Sequence, residues 1–255
     1  MKKLELSGVN ALNFTKFIGM LANLSPSSTV YFILDKGEVV SDSFIESKSL
    51  IKSLRYSMTD FFHEDITENT VKCTFYSGKK LIDAFSYLNG TDIKVTINYD
   101  KYEEDYFCSQ FIITDGKLNI TLNGGDPALI EFASVPAKAI KTLTNVENAT
   151  NSFQINANEI KQIKSLQKFD TNSFVSVTID SITGKVKVKS KNSFEIDINS
   201  DSDNIKSTGE YRIDKQLLSL VETENYSAYT LEDRIILVSL DNKITNIVAL
   251  TDTVE

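Results

Sequence analysis

The sequence predicts an α+β chain built from two similar domains, each with two helices packed on antiparallel sheets. Three observations predict it. Four segments carry apolar residues at helical spacing, and alternating or β-branched runs separate them. The order of elements runs helix, strands, helix, strands, and then repeats. Letter identity follows that order. Asn13–Asp35 aligns without gaps on Asn158–Asp180, pairing Asn13/Asn158, Lys16/Lys161, Ile18/Ile163, Leu21/Leu166, Val30/Val175 and Asp35/Asp180. GKKLI (78–82) likewise aligns with DKQLL (214–218), pairing Lys79 with Lys215 and Leu81 with Leu217.

In chain order, residues 10–24 place Leu12, Phe14, Phe17, Ile18, Leu21 and Leu24 close to a 3.6-residue period, which predicts a helix. Ser25-Pro26 ends it, because the residue before proline is pushed out of the α region. TVYFILDKGEVV (29–40) reads as strand, Asp-Lys-Gly turn, strand. Segments 44–48, 50–58 and 70–76 suit strands by composition. Residues 78–88 form a second helix with Ser77 as N-cap, closed by Asn89-Gly90. Residues 92–99 alternate through Ile93, Val95 and Ile97, and 106–125 form a hairpin around Asp115-Gly116.

The pattern then fades into a connector. The domains are assigned to 1–134 and 152–255, with the connector over 135–151. The second half opens with a helix over 156–169. Strands follow at 174–180, 185–190 and 193–199, then a Ser/Asp-rich loop over 200–204 and a strand ending near Tyr211. A short helix over 213–222 has Asp214 near its start, and three short strands turn at Glu232-Asp233 and Asp241-Asn242.

Composition excludes several classes. The 255 residues contain one histidine, His63, and two cysteines without CxxC spacing, Cys73 and Cys108. That set argues against a His/Cys metal site. No nucleophile-elbow or phosphate-loop sequence is present, so no catalytic residue, metal or cofactor is assigned. Glu103, Glu104 and Asp105 crowd one turn, but their spacing lacks the alternating ligands and central glycine of a calcium loop. A solvated hairpin turn is expected there. No apolar run is long enough for a membrane span, and a cytoplasmic protein is expected.

The sign of the charge is unevenly distributed. The net charge is -8, yet all four helices carry lysine and few acids. In NANEIKQIKSLQKF (156–169), an ideal helix puts Lys161, Lys164 and Lys168 within roughly 60° of one another. Lys16 occupies the matching position in the first half, and Lys79, Lys80 and Lys215 lie on the short helices. Solvated helix faces explain any one such lysine. The shared bias points to a segregated field that draws a polyanion to one surface.

These features together resemble the DNA sliding clamps, nearest to those of T4-type phages and more distantly to proliferating cell nuclear antigen. The likeness rests on NANEIKQIKSLQKF, KVKVKS, IDKQLLSLV and ITNIVALTD in the second half, and on the duplication in the first. It implies a duplicated DNA-clamp fold and a homotrimeric ring without chemistry of its own. Helices would line the hole, with Lys16, Lys79, Lys80, Lys161, Lys164, Lys168 and Lys215 facing duplex DNA without sequence preference. The ring would tether the replicative DNA polymerase for processive synthesis, after opening by a clamp loader. A partner peptide would dock among Val39, Val40, Phe44, Ile140, Leu143, Val248 and Leu250, and subunits would join near 106–122 and 173–190. The rival readings are a β-rich viral tail or baseplate protein and a monomeric polymerase accessory factor that holds DNA by charge.

Overall fold

The structure is a computed structural model that describes residues 2–25, 27–64, 69–88, 92–130, 134–191, 193–198 and 204–251. The Asn89-Gly90 helix end and most of the 200–204 loop lie outside the described residues. The chain forms two compact units, Met1–Glu46 with Ser53–Pro136, and Ser47–Lys52 with Ala137–Glu255.

The first unit contains β1 (Lys2–Leu6), α1 (Ala11–Ala22), β2 (Val30–Asp35), β3 (Glu38–Phe44), most of β4 (Leu50–Ser57), β5 (Val71–Phe75), α2 (Gly78–Ser86), β6 (Lys94–Tyr102), β7 (Asp105–Thr114) and β8 (Asn119–Asn123). The second contains α3 (Ala137–Leu143), β9 (Asn151–Ile155), α4 (Ala157–Leu166), β10 (Phe174–Asp180), β11 (Lys185–Ser190), β12 (Phe194–Ile198), β13 (Gly209–Asp214), α5 (Lys215–Leu220), β14 (Tyr226–Thr230), β15 (Arg234–Ser239) and β16 (Ile244–Ala249). With α3 set aside as connector, both halves run strand, helix, four strands, helix, three strands.

The pairing repeats as well. β2 lies between β3 and β5 as β10 lies between β11 and β13, and β6 joins β1 to β7 as β14 joins β9 to β15. A ladder in the first unit departs from the antiparallel expectation. β5 runs parallel to β7 through Val71–Tyr106 and Lys72–Phe107, which joins the first unit's strands into one sheet. In the second unit β12-β11-β10-β13 stands as a separate sheet.

Local chemistry explains the helix starts. Asn10 caps α1 by accepting from the Asn13 amide, and Ser77 caps α2 by accepting from the Lys80 amide. Asn156 and Glu159 form a reciprocal capping box on α4, and the Asp214 carboxylate accepts from the Gln216 amide at α5. Gly78 starts α2 where a Cβ would sit 2.5 Å from Val30 Cγ1 and 2.9 Å from Ala22 Cβ. Its missing side chain sets how closely α2 approaches α1. Lys36 and Gly37 both take positive φ, 45° and 99°, as a tight β2–β3 turn requires.

The first core is aromatic. Phe14 on α1 is fully buried, and its ring lies 5.5–6.3 Å from those of Phe17, Phe32, Phe61, Phe62, Phe85 and Phe111. The second core is aliphatic. Ile160 and Ile163 of α4 pack with Val177, Val188, Ile213, Ile235, Leu237 and Val248 around a small apolar cavity.

The structure departs from the sequence reading at four places. Residues 44–48 do not form a strand: β3 ends at Phe44, and Lys48 turns the chain with φ of 58°. A β1 strand forms at Lys2–Leu6, where only two leucines signal it, because β6 supplies a partner edge. Residues 173–190 are not an edge, since β10 and β11 each have two neighbours; β12 borders that sheet. In the 106–122 segment, β7 is internal and β8 is the outer strand.

Phe14→Ala is expected to cost about 4 kcal/mol, as large-to-small changes in close-packed aromatic cores do. Chemical denaturation monitored by circular dichroism measures it, and a loss below about 1 kcal/mol contradicts a central packing role for this ring.

Candidate nucleic-acid interface

Lysine placement follows from helix register. On α1, Phe14, Phe17, Ile18, Leu21 and Ala22 face the core, and Lys16 is exposed. Lys79 and Lys80 are exposed in the first turn of α2, which contains no acid. Ammonium groups there add to the positive end of the helix dipole rather than offsetting it. That arrangement disfavours the helix slightly and concentrates positive potential. On α4, Lys161 is exposed, and Lys168 is exposed in the 3-10 turn Gln167–Phe169 that follows. The sequence-predicted helix over 156–169 is thus an α-helix and a tighter final turn.

Two lysines depart from the expected outward set. Lys164 lies four residues after buried Ile160, on the edge of the apolar stripe. It is half-buried and its Nζ donates to the Val221 carbonyl. Burial pushes its pKa down, nearby Lys52 adds to that, and Glu222 opposes it. Lys164 therefore belongs to an internal cluster rather than to the solvent-facing row. Lys215 is half-buried, and its Nζ donates to the Asp170 carbonyl at 2.8 Å. It ties α5 to the end of the 3-10 turn.

The internal cluster was not anticipated. Lys52, in the segment that joins the second unit, is completely buried. Its Nζ donates to the Leu220 carbonyl at 2.9 Å and pairs with the Glu222 carboxylate. Desolvation lowers its pKa, and Glu222 works against that shift. The only signal in the sequence is a lysine on the alternation of LIKSLRYS, which does not distinguish a buried cation from a solvated one.

The partner-peptide residues divide by burial. Val39 and Val248 are fully buried strand residues that hold their own cores and present no side chain to a partner. Ile140 is also buried, through α3. Val40, Phe44, Leu143 and Leu250 remain half-exposed. The Leu250 amide donates to the Asp233 carbonyl at 2.9 Å, which fixes the chain just after β16.

Glu103, Glu104 and Asp105 sit at the β6–β7 turn, as the sequence predicts. Asp105 pairs with Lys72, and Glu104 lies 3.8 Å from Lys101. Among the described residues, no three His, Cys, Asp or Glu side chains converge on a metal-sized site. No described helix is long and apolar enough to cross a membrane.

Solved structures with this architecture include DNA sliding clamps. PCNA from Entamoeba histolytica matches with a TM-score of 0.71 at 12% identity, over 97% of this chain and 98% of that one. A. fulgidus PCNA, solved with the C-terminal region of FEN-1 bound, matches with a TM-score of 0.68 at 12% identity, over 98% and 99%. The DNA polymerase sliding clamp of Pseudomonas aeruginosa matches with a TM-score of 0.64 at 11% identity, and this chain spans 64% of it. This chain has the sliding-clamp fold. No protein-family model matches the sequence, and no curated protein matches it. The clamp fold accounts for the duplicated order of elements. It also places α1, α2, α4 and α5 as the equivalent helices of two repeats.

Two outcomes test the internal chemistry. Glu222→Ala should destabilise by about 3–5 kcal/mol, because it leaves the Lys52 ammonium buried without its counter-charge; urea titration reads the loss. Desolvation pushes the Asp170 pKa up, but hydrogen bonds from Ser190, Asn172 and Ser193 outweigh it and hold the carboxyl at about 2, below the ordinary 3.8. A depressed carboxylate stabilises the fold above its unfolded pKa and loses that contribution as pH falls through the folded value. Thermal scans should therefore show Asp170→Asn removing part of the stability lost between about pH 4 and pH 2. An unchanged acid limb contradicts the assignment.

Proposed function

We propose that this protein is a sliding clamp that encircles duplex DNA and tethers a replicative DNA polymerase. The observation that carries the reading is a conjunction. The chain has the clamp fold over its whole length, and it exposes lysine on helices of both repeats while carrying a net charge of -8. The exposed set is Lys16, Lys79, Lys80, Lys161 and Lys168. Lys215 and Lys164 instead donate to backbone carbonyls of their own unit.

The mechanism needs no bond making. Ammonium groups attract phosphates and release condensed counterions, with no base contact to stop movement along the duplex. A closed ring would convert that weak attraction into topological retention. An excess of carboxylates elsewhere would keep the duplex from the outer surface. We infer a homotrimer of phage type, closed by edge strands. Of the strands with an unpaired edge among the described residues, which also include β1, β9 and β13, we assign this role to β8 and β12. A clamp loader would open the ring. Partner peptides with apolar anchors would dock on the half-exposed group Val40, Phe44, Leu143 and Leu250.

The deciding experiment loads the protein on nicked circular DNA, then linearises it. Retention on circles and loss from linear DNA is expected, with a native mass of three chains. Direct, salt-sensitive binding to linear DNA by a monomer would sink the ring. Lys161→Glu with Lys168→Glu should reduce polymerase stimulation at least tenfold while the native mass stays unchanged. Lys164→Glu should instead unfold the second unit. Equal stimulation by the Lys161/Lys168 double variant rules out these lysines as the DNA-facing set.

A further inference from the structure

A second basic surface lies on strands. The outward face of β11 carries Lys185, Lys187 and Lys189 alternately, and Lys191 follows. Their surroundings differ. Lys187 pairs with both Glu195 and Asp197 of neighbouring β12, which raises its pKa. Those two carboxylates are thereby committed. Lys189 and Lys191 form no ion pair among the described residues. Lys189 lies opposite Ser176 of β10, and Ser176 lies opposite Arg212 of β13, so Lys189 and Arg212 share one row across three strands.

This row borders a concavity of about 410 Å³, lined by Asn172, Phe174, Lys189, Lys191, Glu210 and Arg212, with Ser176 at its floor. The volume lies in the range of sites for small organic ligands. Phe174 is 43% exposed there. The one carboxylate, Glu210, accepts from the Ser176 hydroxyl at 2.7 Å, forms an ion pair with Arg212 Nε at 3.7 Å and is within electrostatic reach of Lys189, so it offsets part of the positive charge. Asn172 commits its side-chain NH2 to Asp170 and Ser190, which leaves its amide carbonyl as an acceptor and stiffens the loop before Phe174.

The chemistry is mixed in a specific way. Three cations suit a phosphate, and Arg212 supplies a planar fork for it. An exposed aromatic ring suits a base face. The Glu210 and Asn172 acceptors suit the N–H or O–H donors of a base or sugar. An acidic peptide offers carboxylates and would gain nothing from Glu210. We propose that this concavity binds a nucleotide unit, with its phosphate on Lys189, Lys191 and Arg212 and its base against Phe174. The unit comes either from a free mononucleotide or from a single strand. The site sits on strands of the second unit rather than on the helix faces that carry Lys161 and Lys168, and the inference does not rest on the clamp reading.

The test uses the full chain and three probes: adenosine monophosphate, a fluorescein-labelled oligothymidylate of about ten nucleotides, and a polyglutamate peptide. Binding is read by fluorescence anisotropy and, for the mononucleotide, by calorimetry. Lys189→Glu with Lys191→Glu should weaken nucleotide or oligonucleotide binding at least tenfold, and Phe174→Ala about tenfold. Lys161→Glu with Lys168→Glu should leave mononucleotide binding unchanged, which separates this site from the helices; the oligonucleotide, which the helix lysines also attract, is compared only between the wild type and the Lys189/Lys191 variant. Saturable mononucleotide binding with the same sensitivity identifies a free nucleotide as the ligand. Binding of the oligonucleotide alone identifies a strand. Equal affinity in the Lys189/Lys191 variant, loss only in the helix variant, or capture of polyglutamate in preference to both nucleotide probes overturns the proposal. Phe174→Leu provides the folding control, since it keeps the apolar bulk; it should reduce binding while the melting temperature holds.

Discussion

The structure depends on one constraint: each long helix must bury one stripe on its own strands and leave the opposite stripe free. Phe14, Phe17, Ile18 and Leu21 meet it in α1, and Ile160 and Ile163 meet it in α4. Burial of those side chains supplies the non-directional part of the stability. It also decides which residues reach solvent. Lys16 and Lys161 are exposed because their neighbours in the helical period are buried. The basic surface is therefore a geometric consequence of the apolar stripe.

The same constraint explains the two different fates of lysine in the second unit. A position near the centre of the free face, such as Lys161, keeps its ammonium in water. A position at the stripe's edge, such as Lys164, turns toward backbone carbonyls at the end of α5. Lys52 is fully enclosed and is tolerated because Glu222 and the Leu220 carbonyl satisfy it. Charge alone therefore does not report function here. A cation facing water and a cation holding two elements together look alike in one-letter code.

Much of the architecture was legible from the letters. Helical periodicity located α1, α2, α4 and α5, and Ser77 and Asp214 marked their starts. The gapless alignment of Asn13–Asp35 on Asn158–Asp180 exposed the duplication that the strand pairing repeats. Strand β1 was illegible because an edge strand borrows its order from β6. Residues 44–48 misled by composition, since β propensity is a statement about fitting a pleated surface and not about the backbone. Val39 and Val248 were offered as partner contacts because hydrophobic letters do not say which face of a strand is covered.

What the sequence by itself determined is most of the elements, their repeat and the placing of lysine on every long helix. These follow from short-range rules: side-chain period, capping chemistry and turn residues act within a few positions. The tertiary structure alone decided which lysines face water, which strands are edges, and which apolar side chains are core. It also gathered Phe174, Lys189, Lys191, Glu210 and Arg212 into one concavity from separate strands. Those outcomes depend on contacts between residues far apart in the chain, which no local pattern encodes.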